Sequence, residues 1–174
     1  MEKIAILYGP KGGSTERVAH LIDAAFGSNQ CQVLLVRDLD ESDLSGFDRL
    51  IFGAPTVGTH TWSDQNERND WDLFLTQMHK MDFTGKRCAV FGLGDQVSYS
   101  FKFVDDIAVI ADTLLGNGAT LVGQVSTEGY TFDESMALRD GQFLGLPLDE
   151  DNEPDKTPDR IARWVEQLKK EFGV

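Results

Sequence analysis

Short apolar runs alternate with amphipathic stretches along the chain. Residues 3–8 (KIAILY) are nearly all apolar and predict a buried strand, followed by a Gly-rich turn. Val18, Leu21, Ile22 and Ala25 then recur at helical spacing. Further strands are predicted over 32–36, 50–53, 88–92 and 120–125. Trp71, Phe74, Leu75 and Met78 form a second helical stripe, and Val104, Ile107, Ala108, Ala111 and Leu115 a third, stopped by Gly116-Asn117-Gly118. Ile161, Trp164, Val165 and Leu168 mark a last helix, entered through Thr157-Pro158.

Strands that are apolar on both faces, with helices between them, argue for a parallel sheet covered on both sides. Five strands suit a doubly wound α/β domain, whose ligand sits at the carboxyl ends of the strands near the point where strand order reverses. That rule selects the turns after strands one, three and four. The connector 126–155 is long. Within it, residues 143–146 predict a short returning strand, and the acidic run 149–153 a solvated turn.

At 174 residues the chain fits one domain, 1–174. Its net charge of −13, carried mostly by the second half, would repel a phosphate backbone and excludes nucleic acid as a partner. The same charge would steer a protein with a basic surface, or simply maintain solubility. No apolar run is long enough to span a bilayer, and the N-terminal residues lack a signal-peptide pattern, so a cytoplasmic monomer is expected. Cys31 and Cys88 lie in apolar strands without CxxC spacing and read as buried free thiols. His20, His60 and His79 show no metal-ligand spacing.

The turn after strand one carries Gly9, Pro10, Lys11, Gly12, Gly13, Ser14 and Thr15. Glycines let the backbone curl around a ligand, and the helix behind presents free N–H groups and a positive dipole end. Ser14 and Thr15 add hydroxyls and Lys11 a cation, so the loop is a candidate cradle for one phosphate. It matches neither GxxxxGK[ST] nor GxGxxG. A plain turn with a cap is the alternative.

Ala54-Pro55-Thr56 after strand three, and Phe91-Gly92-Leu93-Gly94-Asp95-Gln96 with Tyr99 after strand four, resemble the flavodoxin family. So do Glu128-Gly129-Tyr130, Leu138-Arg139-Asp140-Gly141, Phe143-Leu144-Gly145-Leu146, Leu148-Asp149-Glu150-Asp151-Asn152 and the tail from Ile161 to Gly173. The resemblance covers nearly the whole chain, and the segment 126–143 resembles the insertion of long-chain members. It implies strand order 2-1-3-4-5 and one FMN held at all three turns. Gly13, Ser14 and Thr15 would take the phosphate, with Pro10, Lys11 and Gly12 completing that loop. Pro55, Thr56, Val57 and Gly58 would line the inner side of the ring. Leu93, Gly94, Asp95 and Tyr99 would line the outer side, and Asp151 would approach the ribityl chain. Two departures stand out: Pro10 and Gly12 replace hydroxyl residues of the family's first loop, and Val57 is smaller than the usual inner-face residue, leaving His60 or Trp62 to cover that face.

The family function implied is low-potential, one-electron transport between redox proteins, such as a flavodoxin/ferredoxin reductase or another oxidoreductase donor with a basic docking surface. FMN would carry the redox chemistry and the protein would tune it. The negative charge should disfavour an anionic reduced flavin and so make it a strong reductant. In the family the peptide at the position of Gly58 turns to accept a hydrogen bond from flavin N5. No catalytic residue and no metal are implied. The main alternative is an FMN-dependent NAD(P)H quinone or nitro reductase of the same fold, against which no second nucleotide signature is visible. A Mg²⁺-binding receiver would need an acidic pair after strand one, which Tyr8-Gly9-Pro10 does not supply.

Overall fold

The computed structural model describes residues 3–54 and 70–174, so Pro55, Thr56, Val57, Gly58, His60 and Trp62 lie outside the described residues. The first half contains β1 (Ile4–Tyr8), α1 (Ser14–Phe26), β2 (Cys31–Leu35), α2 (Glu41–Leu44), β3 (Arg49–Ala54) and α3 (Asp70–Met78). The second half contains β4 (Arg87–Leu93), α4 (Asp105–Gly116), β5 (Thr120–Leu121), β6 (Val125–Ser126), β7 (Leu138–Arg139), β8 (Gln142–Phe143), β9 (Leu146–Leu148) and α5 (Thr157–Phe172). The main sheet is parallel in the order β2-β1-β3-β4-β5, as expected for a doubly wound domain.

Alternation along the strands divides the core in two. Ala5, Leu7, Leu50, Phe52, Cys88 and Val90 face α3 and α4, meeting Trp71, Phe74, Ile107 and Ala111. Ile4, Ile6, Ile51, Ala89 and Phe91 face α1 and α5, meeting Val18, Ile22, Trp164 and Leu168. This two-sided cover is why the strands are apolar at consecutive positions. Each fully buried aliphatic or Phe side chain contributes about 1.5–3 kcal/mol before entropy is counted. Close approaches demand two glycines: a Cβ on Gly53 would sit 2.2 Å from the Phe91 ring, and one on Gly145 would sit 2.1 Å from the Val90 carbonyl oxygen.

The predicted fifth strand, 120–125, is broken. β5 pairs only with the start of β4 (Cys88 beside Leu121), and β9 takes over beside its end (Leu93 beside Leu148). The break occurs at Gly123, whose φ of +80° turns the chain off the sheet edge. There the Gly123 N–H donates to Glu171 Oε2 (2.6 Å), and its carbonyl accepts from Trp164 Nε1 (2.9 Å). The chain between the two half-strands forms a small antiparallel sheet, β6-β8-β7. The predicted returning strand 143–146 therefore spans two elements: Phe143 ends β8 and Leu146 begins β9.

Three smaller expectations also change. Leu21 and Leu115, assigned to helix stripes, are 38% and 45% exposed. Cys31 is only half-buried because β2 is the sheet edge, whereas Cys88 on central β4 is buried. Burial pushes both free thiols up to about 12, disfavouring the thiolate.

Candidate functional site

The turn after β1 and the turn after β4 emerge at the same, carboxyl-terminal end of the sheet. In the first, Lys11, Gly12, Gly13 and Ser14 are exposed and Thr15 is buried. Gly13 is the N-cap of α1 and no side chain caps it, so Ser14 and Thr15 are not consumed as caps. The first helical bond runs from Arg17 N–H to the Gly13 carbonyl (3.3 Å). The N–H groups of Gly13, Ser14, Thr15 and Glu16 thus have no intrahelical acceptor. Gly12 holds φ +88°, and a Cβ on either Gly12 or Gly13 would meet nothing within 4 Å. The loop is open, lined by backbone donors at a positive helix end, and fits a phosphate. Glu16 closes the turn from the helix side: its carboxylate accepts from Gly12 N–H (2.6 Å) and from Tyr8 Oη–H (3.0 Å). Those two bonds, the Gly12 one foremost, pull the Glu16 carboxyl below its ordinary range.

Beyond β4 the chain makes a turn before α4 begins. Leu93 is buried, and the Gly94 N–H donates to the Leu148 carbonyl (2.9 Å), continuing the β4–β9 pairing. Asp95 Oδ1 accepts from Val97 N–H (2.9 Å) and Ser98 N–H (2.8 Å), and from the Asn152 amide (2.8 Å). Asp95 closes this turn and caps no helix; α4 starts only at Asp105. Tyr99 N–H donates to the Asp95 carbonyl (3.0 Å), and the Tyr99 ring is 47% exposed. A braced backbone carrying a half-exposed ring can offer one face to a flat ligand.

Beneath this turn lies a polar cluster that corrects the sequence reading of 149–153 as a solvated turn. Asp149 is completely buried. Its carboxylate accepts from Gln96 N–H (3.1 Å), Gln96 Nε2 (2.9 Å), Asp151 N–H (3.2 Å), Asn152 N–H (2.9 Å) and Asn152 Nδ2 (3.0 Å). Burial raises the Asp149 carboxyl, but these donors outweigh it and leave the group below its ordinary range. Gln96 also donates to Glu153 Oε2 (3.1 Å) and accepts from Thr131 N–H (2.6 Å). Arg160 pairs with Glu153 (2.8 Å), donates to the Gly129 carbonyl (3.0 Å) and lies 4.1 Å over the Tyr130 ring. The cluster joins the β4 turn, the segment between the half-strands and α5.

Asp151 is exposed overall, but partial desolvation of its carboxyl, followed by the charges of Asp95, Asp149 and Glu150, raises it. The adjacent Glu150 pairs with Arg17 of α1 (2.5 Å), linking this turn to the first loop's helix. Of the described candidates, Pro10 to Thr15 form one cluster, and Leu93 to Asp95 with Tyr99 and Asp151 another. Sequence reasoning missed the structural parts of Gln96, Asp149, Glu153, Thr131 and Arg160. The acidic run follows the apolar Leu146-Pro147-Leu148, but nothing in its letters separates the buried Asp149 from the exposed Asp151 and Asn152 beside it.

A doubly wound parallel sheet with an open, glycine-rich loop after its first strand and a braced aromatic turn after its fourth is an architecture shared with nucleotide-binding α/β proteins. The flavodoxin profile matches residues 6–164. A flavodoxin of Nostoc sp. is 41% identical over 173 residues, covering 99% of each chain. Flavodoxin 1 of Azotobacter vinelandii is 39% identical over 176 residues, covering 99% of this chain and 98% of its own. Among solved structures, the Fusobacterium nucleatum flavodoxin bound to flavin mononucleotide superposes with a TM-score of 0.87 at 30% identity, covering 98% of this chain and 99% of that one. The chain belongs to the flavodoxin family, and its length fits the long-chain type.

Glu153 gives the cluster a pH signature. Burial raises its carboxyl, but hydrogen bonds from Lys156, Gln96 and Arg160 and the Arg160 charge outweigh it and bring the group from 4.5 down to about 2. A carboxyl depressed in the folded state adds stability that is complete above its unfolded value and is lost as pH falls through its folded value. Wild type should therefore lose more stability than Glu153→Gln between pH 4.5 and about 2. Urea midpoints across that window measure this; parallel curves for the two proteins would contradict it.

Proposed function

We propose that this flavodoxin holds one non-covalent FMN and shuttles single electrons between redox proteins. The half-exposed Tyr99 ring on its braced turn, at the same sheet end as the open loop, carries the reading. Backbone donors at Gly13, Ser14 and Thr15 would take the phosphate, with Pro10, Lys11 and Gly12 shaping the loop. Tyr99 would cover the outer face of the ring, with Leu93, Gly94 and Asp95 along its edge and Asp151 toward the ribityl chain. Pro55, Thr56, Val57 and Gly58 are assigned to the inner side from the family pattern. Bound FMN supplies the one-electron chemistry. The protein holds the ring, excludes water from its outer face and sets a negative field around it.

Among the described residues no helix is long and apolar enough to cross a membrane. On this reading the chain works as a cytoplasmic monomer, its −13 charge keeping copies apart. The partner side presents Lys and Arg. Electron transfer with a basic reductase should slow as salt rises, since screening sets in over about 10 Å at ~0.1 M. Stopped-flow rates across a salt series measure this, and a flat series would show that charge does not guide the encounter.

Purified protein should bind one FMN per chain and reduce in two separate one-electron steps. Tyr99→Ala should weaken FMN binding by roughly 1–3 kcal/mol through lost stacking and burial. It should also raise the potential of the second step, because water then solvates the anionic reduced ring. The control is Leu115→Ala, an exposed residue at the C-terminal end of α4, near the amino-terminal ends of β4 and β5 and so at the opposite end of the strands from the site. Tyr130→Ala is unsuitable, since Tyr130 packs against Phe103 and Phe143 and donates to the Pro147 carbonyl (2.7 Å). Unchanged affinity and potential in Tyr99→Ala would remove Tyr99 from the flavin face.

A further inference from the structure

The first loop is built from residues that do not hold themselves in place. Gly12 and Gly13 are adjacent, Pro10 has no N–H to offer, and no side chain caps Gly13. Two consecutive glycines leave the loop with the greatest backbone freedom, all of which is lost when a ligand orders it. Neither Pro10 nor Gly12 carries a side-chain hydroxyl that could bond within the loop.

Only one side chain among the described residues bonds to this turn from both sides. Glu16, in the first turn of α1, reaches back to Gly12 N–H at 2.6 Å and to the hydroxyl of Tyr8 at 3.0 Å. Tyr8 is the buried last residue of β1, so the carboxylate ties the loop to the end of the strand as well as to the helix. Gly12 is held at its φ of +88° by the bond its own N–H makes. Among the described residues, nothing accepts from the neighbouring N–H groups of Gly13, Ser14 and Thr15.

We propose that Glu16 is a positioning residue for the FMN phosphate: it pre-forms the loop through Gly12 and Tyr8 without touching the ligand. The inference rests on the reading of this loop as the phosphate cradle. Glu16 also places a negative charge near that phosphate, which opposes binding. Its net effect is favourable because ordering the Gly12-Gly13 turn outweighs a repulsion screened at an exposed loop.

Two variants separate these effects. Glu16→Gln keeps an oxygen for Gly12 N–H and an amide that can donate to Tyr8, but removes the charge. Glu16→Ala removes the brace. The readout is the ratio of FMN to riboflavin affinity, from flavin fluorescence quenching by the purified apoprotein. Riboflavin has the same ring without the phosphate, so a general loss of structure weakens both ligands alike. Glu16→Ala should lower the preference for FMN about tenfold, the scale of one charge-assisted hydrogen bond, and leave riboflavin binding unchanged. Glu16→Gln should keep the wild-type preference or raise it. An unchanged or increased preference in Glu16→Ala, equal loss of both ligands, or a Gln variant as weak as the Ala variant would overturn the brace. Wild type that binds neither flavin, or does not prefer FMN, would instead overturn the reading of the loop itself.

Discussion

A carboxylate buried without solvent must be surrounded by donors, or folding carries a cost of several kcal/mol. Asp149 meets that constraint with five N–H donors, from Gln96, Asp151 and Asn152. None of the five comes from regular secondary structure, so satisfying Asp149 dictates the course of two irregular turns. One is the turn that carries Asp95 and Tyr99, and the other follows β9 and carries Asp151. The outer wall of the proposed flavin site is thus a consequence of one buried charge.

The broken fifth strand is what makes this possible. A continuous strand beside β4 would fill its whole edge from one stretch of chain. Here β5 covers the start, the chain leaves at Gly123, and β9 returns to cover the end. The detour reaches the turn after β4 at several points: Thr131 N–H bonds to the Gln96 side chain, Asp133 and Glu134 N–H bond to the Ser100 carbonyl, and Phe103 N–H bonds to the Glu134 carbonyl. Its aromatic residues Tyr130, Phe132 and Phe143 pack around Phe103. The inserted chain therefore supports the turn through both backbone bonds and ring packing.

Much of the fold was legible because burial on both faces leaves a direct trace in residue type. IAILY and CAVF are apolar at successive positions since each residue packs under a helix on one side or the other. The loop after β1 was legible from glycines before a helix, and the β4 turn from Gly94-Asp95-Gln96 and Tyr99. The Asp149 cluster was not legible: an acidic run carries the same letters whether it faces water or donors, and two of the five donors lie 53 residues away at Gln96. The break in strand five was hidden because Val122 and Val125 continue the apolar pattern across Gly123. There the interactions that decide the path, from Trp164 and Glu171, come from α5.

Asp149→Asn tests the dependence of these turns on the buried charge most directly. The replacement has the same shape, but its amide nitrogen faces N–H groups that need an acceptor. Amide hydrogen exchange, residue by residue, should become faster at Gln96 and Asn152, which bond to Asp149. It should also become faster at Thr131, which touches Asp149 only through Gln96, while β1 and β3 keep their protection. Unchanged exchange at all three positions in a folded variant would contradict the account, because the turns would then stand without the carboxylate.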